Sequence, residues 1–162
     1  MDIGAVEVEI VEFLRSKLND PEYGINDPNT FVEPLPEAEI EFEKAWGKRK
    51  IFVGFNEEMA SPNIKSIDMS YQESNYTFSF LIQSNLLRGD KGIYQLAEFI
   101  KAFMLGFKPV NSEKFIYSGF RFVQKVKNVF EYSLDFSTKG IVTQTQFSSE
   151  QIGGNFNDIK LS

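Results

Sequence analysis

The chain has 162 residues, 42% of them hydrophobic, which is enough for one ordinary domain with a buried core. It contains no His and no Cys, so His-dependent triads, disulfides and thiolate metal sites are excluded. The net charge of -6 opposes sequence-independent binding of nucleic acid, which usually needs a basic surface. Seventeen Phe and six Tyr predict a core built from aromatic rings, which suits a β-sheet.

Two amphipathic helices are predicted. Asp2 is placed to cap the first, which should end near Leu18, and its apolar stripe consists of Ile3, Val6, Ile10, Phe13 and Leu14. The second has the strongest helical pattern of the chain, formed by Ile93, Leu96, Ala97, Ile100, Phe103, Met104 and Phe107. Asp90 stands just before this stripe and is predicted to be its N-cap, while Gly106 is predicted to end the helix.

The Asp90 side chain closes an Arg-Gly-Asp triplet at 88–90, which we interpret as a turn and cap between a strand and a helix. An adhesion signal would need an exposed loop in a secreted protein. The N-terminus lacks the basic start and apolar core of a signal peptide, and no apolar run approaches the length of a membrane span. We therefore expect a protein made in a cytoplasm, with no membrane partner.

Several segments alternate in the manner of strands. Short strands are expected near Phe31 and at 50–55, followed by a loop at 56–63, and the clearest alternation runs from Tyr76 to Ile82. A final hairpin should place Phe122 opposite an even-numbered residue of the next strand. That register predicts a three-residue loop, 127–129, and places both Phe122 and Phe136 beneath a helix.

These elements predict an α+β fold, a mainly antiparallel β-sheet with two main α-helices packed on one face. We expect a single domain over residues 1–147. Residues 148–162 lack a sustained pattern and are interpreted as a tail that is flexible or ordered by a partner. Apolar residues within this tail, Ile152, Phe156 and Ile159, are candidate assembly contacts.

Reactive chemistry is not indicated anywhere along the chain. The basic triplet Lys48, Arg49 and Lys50 is either solvated protection of a strand edge or a contact to another subunit or to a phosphate. Alternating Glu residues at 37–43 fit either a short helix or a strand, and they lack the fixed partners of a metal site. With no catalytic, cofactor or metal residues to assign, the sequence favours a structural protein over an enzyme.

One alternative function class comes from "SGFRFVQK", residues 118–125, which resembles the RNA-reading strand of RRM domains. Phe120 and Phe122 would then stack on bases of a single strand. Three positions depart from that pattern: Ser118, Arg121 and Lys125. The negative net charge also opposes this interpretation.

A longer pattern covers residues 78–138. It combines "FSFLIQSNLLRGDKGIYQLAEFIKAFMLGFKP" with "FVQKVKNVFEYSLDFSTKG", which together give a strand, a turn, an amphipathic helix and a hairpin. In this combination the chain resembles the Mu-like prophage tail proteins of the tail-terminator kind. It departs from them in the acidic insert at 33–47 and in the residues beyond Phe147.

The resemblance implies a non-catalytic virion component made in the host cytoplasm. Tail terminators form a ring, typically of six subunits, on the head-proximal end of a completed tail tube. Such a ring stops growth of the tube and sheath and offers a docking surface to the neck or head, while DNA passes through without specific binding. Phage-derived contractile injection devices use similar parts.

Overall fold

A computed structural model describes residues 1–37, 47–66 and 70–143. The segment predicted as either helix or strand at 36–46 lies almost wholly outside these ranges, as does the whole of the predicted tail, 148–162. The described elements follow one another as α1 (Ile3–Lys17), β1 (Thr30–Pro34), β2 (Arg49–Ser66), β3 (Ser70–Ser84), α2 (Ile93–Met104), β4 (Ile116–Val126) and β5 (Val129–Thr143).

The strands form one sheet in the order β1-β2-β3-β5-β4. Only β1 and β2 are parallel, and the other three neighbouring pairs are antiparallel. This arrangement confirms the predicted α+β fold with a mainly antiparallel sheet. Because β4 follows α2 in sequence but lies outside β5, the second half of the chain builds one whole side of the sheet.

Both helices cover the same face of the sheet. On that face, side chains of neighbouring strands lie side by side in rows. The strand register aligns Val53 with Phe80 and Phe80 with Leu134 across three strands. These side chains form a single core with the apolar residues of α1 and α2, including Ile10, Leu14, Leu96 and Ile100. Strand β3 buries its even-numbered side chains from Tyr76 to Ile82, as the alternation of the sequence predicted. In β5 the core face carries Leu134 and Phe136, but the odd-numbered Glu131, Ser133 and Asp135 on the other face are buried as well.

Helix α1 begins as predicted. The Asp2 carboxylate accepts a hydrogen bond from the Ala5 backbone N–H at 3.0 Å and so satisfies one of the free amides of the first turn. The helix ends at Lys17, with Leu18 as its C-cap. It lies against β1 and β2, whereas α2 lies against β3 and β5.

The predicted cap of α2 is wrong, because its N-cap is Gly92 and Asp90 is exposed outside the helix. The first amides of α2 instead donate to carbonyls in the turn that follows β3. Ile93 N donates to Leu86 O at 3.0 Å, and Tyr94 N donates to Leu87 O at 3.2 Å. Backbone acceptors thus replace the side-chain cap. At the other end, Gly106 follows the C-cap with a φ of +79°, a conformation that glycine adopts without strain.

The hairpin of β4 and β5 has the predicted register but a different turn. Lys127 and Asn128 form a two-residue loop, and both have positive φ, as type I′ turns require. Such a loop alone would set Phe122 against an odd-numbered residue. A bulge between Phe122 and Gln124 shifts the register by one, so that Phe122 faces Tyr132.

Two other expectations are corrected. Residues 56–63 continue β2 instead of forming a loop, since they pair with β3 around irregularities at 55–57 and 60–64. Phe122 is 55% exposed, whereas Phe136 is completely buried. The ring of Phe122 lies on the outermost strand, and its described aromatic contact is the edge-on ring of Tyr132, with centroids 5.5 Å apart.

Candidate assembly surfaces

The outer edge formed by β1 and β2 is closed by side chains of α1. Arg15 Nε donates to the Val32 carbonyl at 2.8 Å, and the Phe55 backbone N–H donates to Glu7 Oε1 at 2.7 Å. Both bonds occupy backbone groups that a further strand would need. The edge is therefore protected against strand addition as far along β2 as Phe55.

No sequence motif marks Glu7 and Arg15 as edge-binding residues. They lie with buried Val11 at intervals of four along α1, so the three share one side of the helix. The sequence signal for this role was a polar residue one helical turn before and one turn after the apolar Val11. It could not be used without knowing that a sheet edge, and not solvent, lies beside that part of the helix.

The opposite edge, β4, is open. Within residues 1–37, 47–66 and 70–143, no hydrogen bond joins the β4 backbone to any group outside its pairing with β5. Most β4 side chains are exposed, and four of these are large and apolar: Ile116, Tyr117, Phe122 and Val123. An exposed edge strand of this length is a template for another chain.

Cross-strand pairs on the face away from the helices hold β4 in place. Arg121 NH1 donates to Asp135 Oδ2 at 2.8 Å, and Ser79 Oγ donates to the other carboxylate oxygen at 2.6 Å. Gln124 Nε2 donates to Glu131 Oε1 at 3.2 Å. The open edge is thus displayed by a strand whose side chains are bonded into the sheet, so it presents a defined surface.

An aromatic and basic cluster lies where α2 meets β4. Tyr132 stacks on Phe120 with centroids 5.1 Å apart and meets Tyr94 edge-on at 6.2 Å. Lys101 Nζ lies 5.7 Å from the centroid of Phe120. Burial raises the pKa of Tyr132, and its hydrogen bond to the Tyr94 hydroxyl raises that pKa further.

This cluster opposes the nucleic-acid alternative. The Phe120 ring is occupied by Tyr132 and by the Lys101 ammonium, so it is not presented as a free stacking platform. Phe122 is exposed but stands at the strand edge. Of the two aromatic positions proposed for base stacking, the structure therefore leaves one accessible.

The basic triplet divides between the surface and the interior. Arg49 is mostly buried, where NH1 pairs with Asp27 Oδ2 at 3.0 Å and Nε donates to the Lys91 carbonyl at 2.9 Å. Arg49 therefore links the loop before β1, the start of β2 and the turn before α2 within one chain. Its proposed role as an assembly contact is corrected to an internal one, because its bonding groups are engaged.

The other two members of the triplet cover aromatic rings. Lys48 Nζ lies 5.8 Å from the centroid of Phe31, and Lys50 Nζ lies 5.6 Å from that of Phe52. Lys48 is exposed and Lys50 is partly buried. Lys48 and Lys50 therefore stay candidate contacts, of which Lys48 is the more exposed.

Asp27 is the buried carboxylate that pairs with Arg49. Burial alone would raise its pKa, but hydrogen bonds from Asn29 and Thr30 and the positive charges of Arg49 and Lys91 outweigh this and lower the pKa below its ordinary value of 3.8. A pairing of this kind maintains the relative positions of the loop before β1, the start of β2 and the turn before α2. It does not resemble a reactive site, because the carboxylate is fully occupied.

The described residues form open cavities but no grouped metal site. Among them, no three acidic side chains are grouped so as to hold a metal ion. A cavity of about 260 Å³ lies on the face away from the helices, bordered by Leu35, Leu81, Val123 and Glu131, and it is open to solvent. Of the two described helices, neither is long and apolar enough to cross a membrane.

Comparison with known proteins places the chain in a family. A family model described as Gp37 protein matches residues 24–153, which is most of the chain. The chain belongs to the Gp37 protein family. This is a phage-related virion protein family, and the match includes the whole sheet and α2 while leaving out α1.

Other comparisons add little to this assignment. A solved structure titled "Virion of native gene transfer agent (GTA) particle" contains a chain with 13% identity and a TM-score of 0.40, covering 87% of this chain and 96% of that one. At that score the likeness carries no argument about this protein. No curated protein sequence matches the chain.

Proposed function

We propose that this Gp37 family member is a tail-terminator, or tail-completion, protein. Copies of the chain would form a ring, typically of six, at the head-proximal end of the tail tube. The ring would end growth of the tube, and of the sheath in a contractile tail, and would offer the docking surface for the neck or head. The mechanism is capping by shape and contact, with no catalysis and no cofactor.

The observation that carries the proposal is the continuous unit formed by β3, α2, β4 and β5. It comprises the residues whose pattern resembles tail terminators, and it ends in the open, rigidly held edge of β4. A subunit that has one open edge and one closed edge is suited to repeated contact with neighbours of its own kind. Membership in a phage-related virion family supports the same function.

The proposed partners follow from that position in the virion. They are other copies of the chain, the tail tube and sheath proteins, and a neck or head-completion protein. DNA would pass through the ring without specific binding, which suits a chain with a net charge of -6. The protein would be made in the host cytoplasm and carried in the tail or neck of the virion.

The C-terminal residues 148–162 are proposed as an assembly segment separate from the domain 1–147. Their apolar residues Ile152, Phe156 and Ile159 would be buried against a neighbouring subunit or the tail tube. Deleting 148–162 should leave thermal melting of the chain almost unchanged and should weaken tail capping. Loss of folding in the shortened chain would contradict this division.

The test of the function is complementation of a phage lysate that lacks this gene. Electron microscopy should show tails of abnormal length or without heads, and addition of the purified full chain should restore capped tails of uniform length. The shortened chain 1–147 is the comparison variant, and buffer is the control. Normal capped tails in the lysate without the gene would refute the proposal.

The same purified chain should be offered single-stranded nucleic acid at low and high salt. Tight, salt-dependent binding that is lost on replacing Phe122 by Ala would favour the alternative function through the Phe120 and Phe122 face. We expect no such binding, because Phe120 is engaged within the chain.

A further inference from the structure

Charge is divided unequally between the two halves of the chain. Residues 1–84 contain 16 acidic and 7 basic side chains, a net charge of -9, whereas residues 85–162 contain 7 acidic and 10 basic, a net charge of +3. The two halves together give the total of -6. The chain is acidic overall, but its second half, residues 85–162, is basic.

The fold places the described parts of these halves, 1–37, 47–66 and 70–84 against 85–143, on opposite sides of the sheet. The first half forms α1 and strands β1, β2 and β3, and the second forms α2 and strands β5 and β4, which complete the sheet on the other side. Helix α1 lies over the first side and α2 over the second. Among the described residues, the first part carries 12 acidic and 6 basic side chains and the second 5 acidic and 9 basic, so the polarity of charge along the sequence is also a polarity across the sheet.

At one extreme is the basic flank, which we define as Arg121 and Lys125 on β4 with Lys114 just before it. All three are exposed, beside the exposed apolar side chains of the same strand. Arg121 keeps its ion pair with Asp135 although its side chain is 61% exposed. The basic flank thus combines positive charge, apolar surface and an open strand edge.

At the other extreme is the acidic flank, defined as residues 56–60 of β2. These five residues are consecutive, exposed and include Glu57 and Glu58. They lie beyond Phe55, where the Glu7 side chain closes the edge, and beyond the end of β1 at Pro34. Among the described strands, none pairs with the outer side of this segment, so it too offers a free edge.

The two flanks are unlike, and this decides which pairing between copies is favourable. Two basic flanks or two acidic flanks would bring like charges together, which is destabilising at an interface. A basic flank against an acidic flank brings opposite charges and two free strand edges together. A contact between different surfaces is heterologous, and its repetition generates a ring when the rotation closes.

We propose that the basic flank of one copy docks on the acidic flank of a second copy, head to tail, with Lys125 and Arg121 facing Glu57 and Glu58. The inference rests on the proposed ring-forming function in one respect, the need for a repeated contact between copies. The surfaces themselves are assigned from the charge, exposure and edge geometry of this chain.

Charge reversal on the full-length chain tests the contact. Lys125→Glu and Glu57→Lys should each weaken self-association by about tenfold or more, measured by sedimentation equilibrium and native mass spectrometry. Glu22→Lys is the control, because Glu22 is exposed in the turn after α1, away from both flanks, and its reversal changes net charge as much as that of Glu57. Thermal melting of each variant confirms that it folds.

The decisive measurement mixes the two single variants. Each retains one natural flank, so an equimolar mixture should associate in alternation and recover most of the lost affinity, and the double variant should do so alone. Failure of both to recover while every variant folds would overturn the contact, as would a wild-type chain that stays monomeric at all concentrations. If the wild-type chain self-associates through this contact but does not cap tails, the proposed function is refuted and the contact stands. If both single variants cap tails normally, the contact is refuted and the proposed function stands.

Discussion

Replacing Phe136 by Ala should destabilise the fold much more than replacing Phe122 by Ala, although both rings lie on the same face of one hairpin. Phe136 has no exposed surface and contacts the rings of Phe80 and Phe115 at centroid distances of 5.7 and 6.1 Å. Its removal would leave an enclosed cavity. For such sites the loss of unfolding free energy is about 3 to 5 kcal/mol.

Phe122 should behave differently because more than half of its surface is already in water. Burying a whole Phe side chain contributes roughly 1.5 to 3 kcal/mol, so the buried part of Phe122 contributes about 1 kcal/mol, and no closed cavity is left on an outer strand. The two losses should add. The register places Phe122 opposite Tyr132 and Phe136 opposite Tyr117, several residues apart along β5.

The assay is urea unfolding of the wild-type chain, the two single variants and the double variant, followed by circular dichroism. Equal losses for the two variants would refute the burial argument. A double variant that departs from the sum by more than about 0.5 kcal/mol would show coupling between the two sites and refute their independence.

Three further predictions concern single residues. Asp2→Ala should cost about 0.5 to 2 kcal/mol in thermal or urea unfolding, whereas Asp90→Ala should cost almost nothing; a larger loss at Asp90 would restore it as a cap. Gly92→Ala should destabilise the chain in the same assay, because a Cβ there would stand 2.8 Å from the Arg88 carbonyl oxygen, and unchanged stability would refute this steric argument. Asp27→Asn should be less stable than wild type at neutral pH, and the difference should close as pH falls below 3.8, since a lowered folded-state pKa gives stability that is present above the unfolded pKa and lost on acidification. Urea unfolding between pH 7 and pH 2 checks this, and a difference that stays constant with pH would contradict it.

Regular periodicity explains which parts of the fold could be predicted from sequence. Alternation from Tyr76 to Ile82 and from Phe130 to Phe136 marks the apolar face of each strand, and the helical stripe of α2 marks the layer that packs on that face. Both signals come from contacts with one core, so they agree with each other and fix the fold class.

The wrong sequence predictions concern residues whose partner is distant in sequence or is a backbone group. The start of α2 depends on carbonyls of Leu86 and Leu87, which carry no side-chain signature. The outer half of β2 is exposed on both faces, so it shows no alternation although it pairs with β3. A bulge in β4 reversed the inference about the hairpin loop, because a register can be set by an extra residue in the strand as well as in the turn.

The assembly surfaces were also hidden from sequence for a physical reason. The basic triplet at 48–50 is conspicuous as a run, yet Arg49 is bonded to Asp27 inside the chain. The cations of the basic flank are separated in sequence and are brought onto one side only when β4 takes the outer position in the sheet. Local clustering along a chain is therefore a weaker guide to an interface than the order of strands.

The proposed contact gives a reason why growth of a ring would depend on the tail end. Each copy carries a net charge of -6, so copies repel one another on close approach, a repulsion that physiological salt screens at longer separations. The attraction between Lys125 and Glu57 acts only over a few ångströms, within the Debye length of about 8 Å at physiological salt. In the proposed function, copies that first bind the tube would be held at high effective concentration and in register, so that a contact that is weak in solution would close the ring on the tail. The same balance would keep most unused subunits dispersed in the cytoplasm.

The opposition between net charge and flank attraction predicts an effect of reversing Glu22 to Lys. This change lowers the net repulsion without touching either flank, so it should strengthen self-association slightly and leave capping unchanged. Weaker association of that variant would refute the argument that net charge opposes assembly in solution.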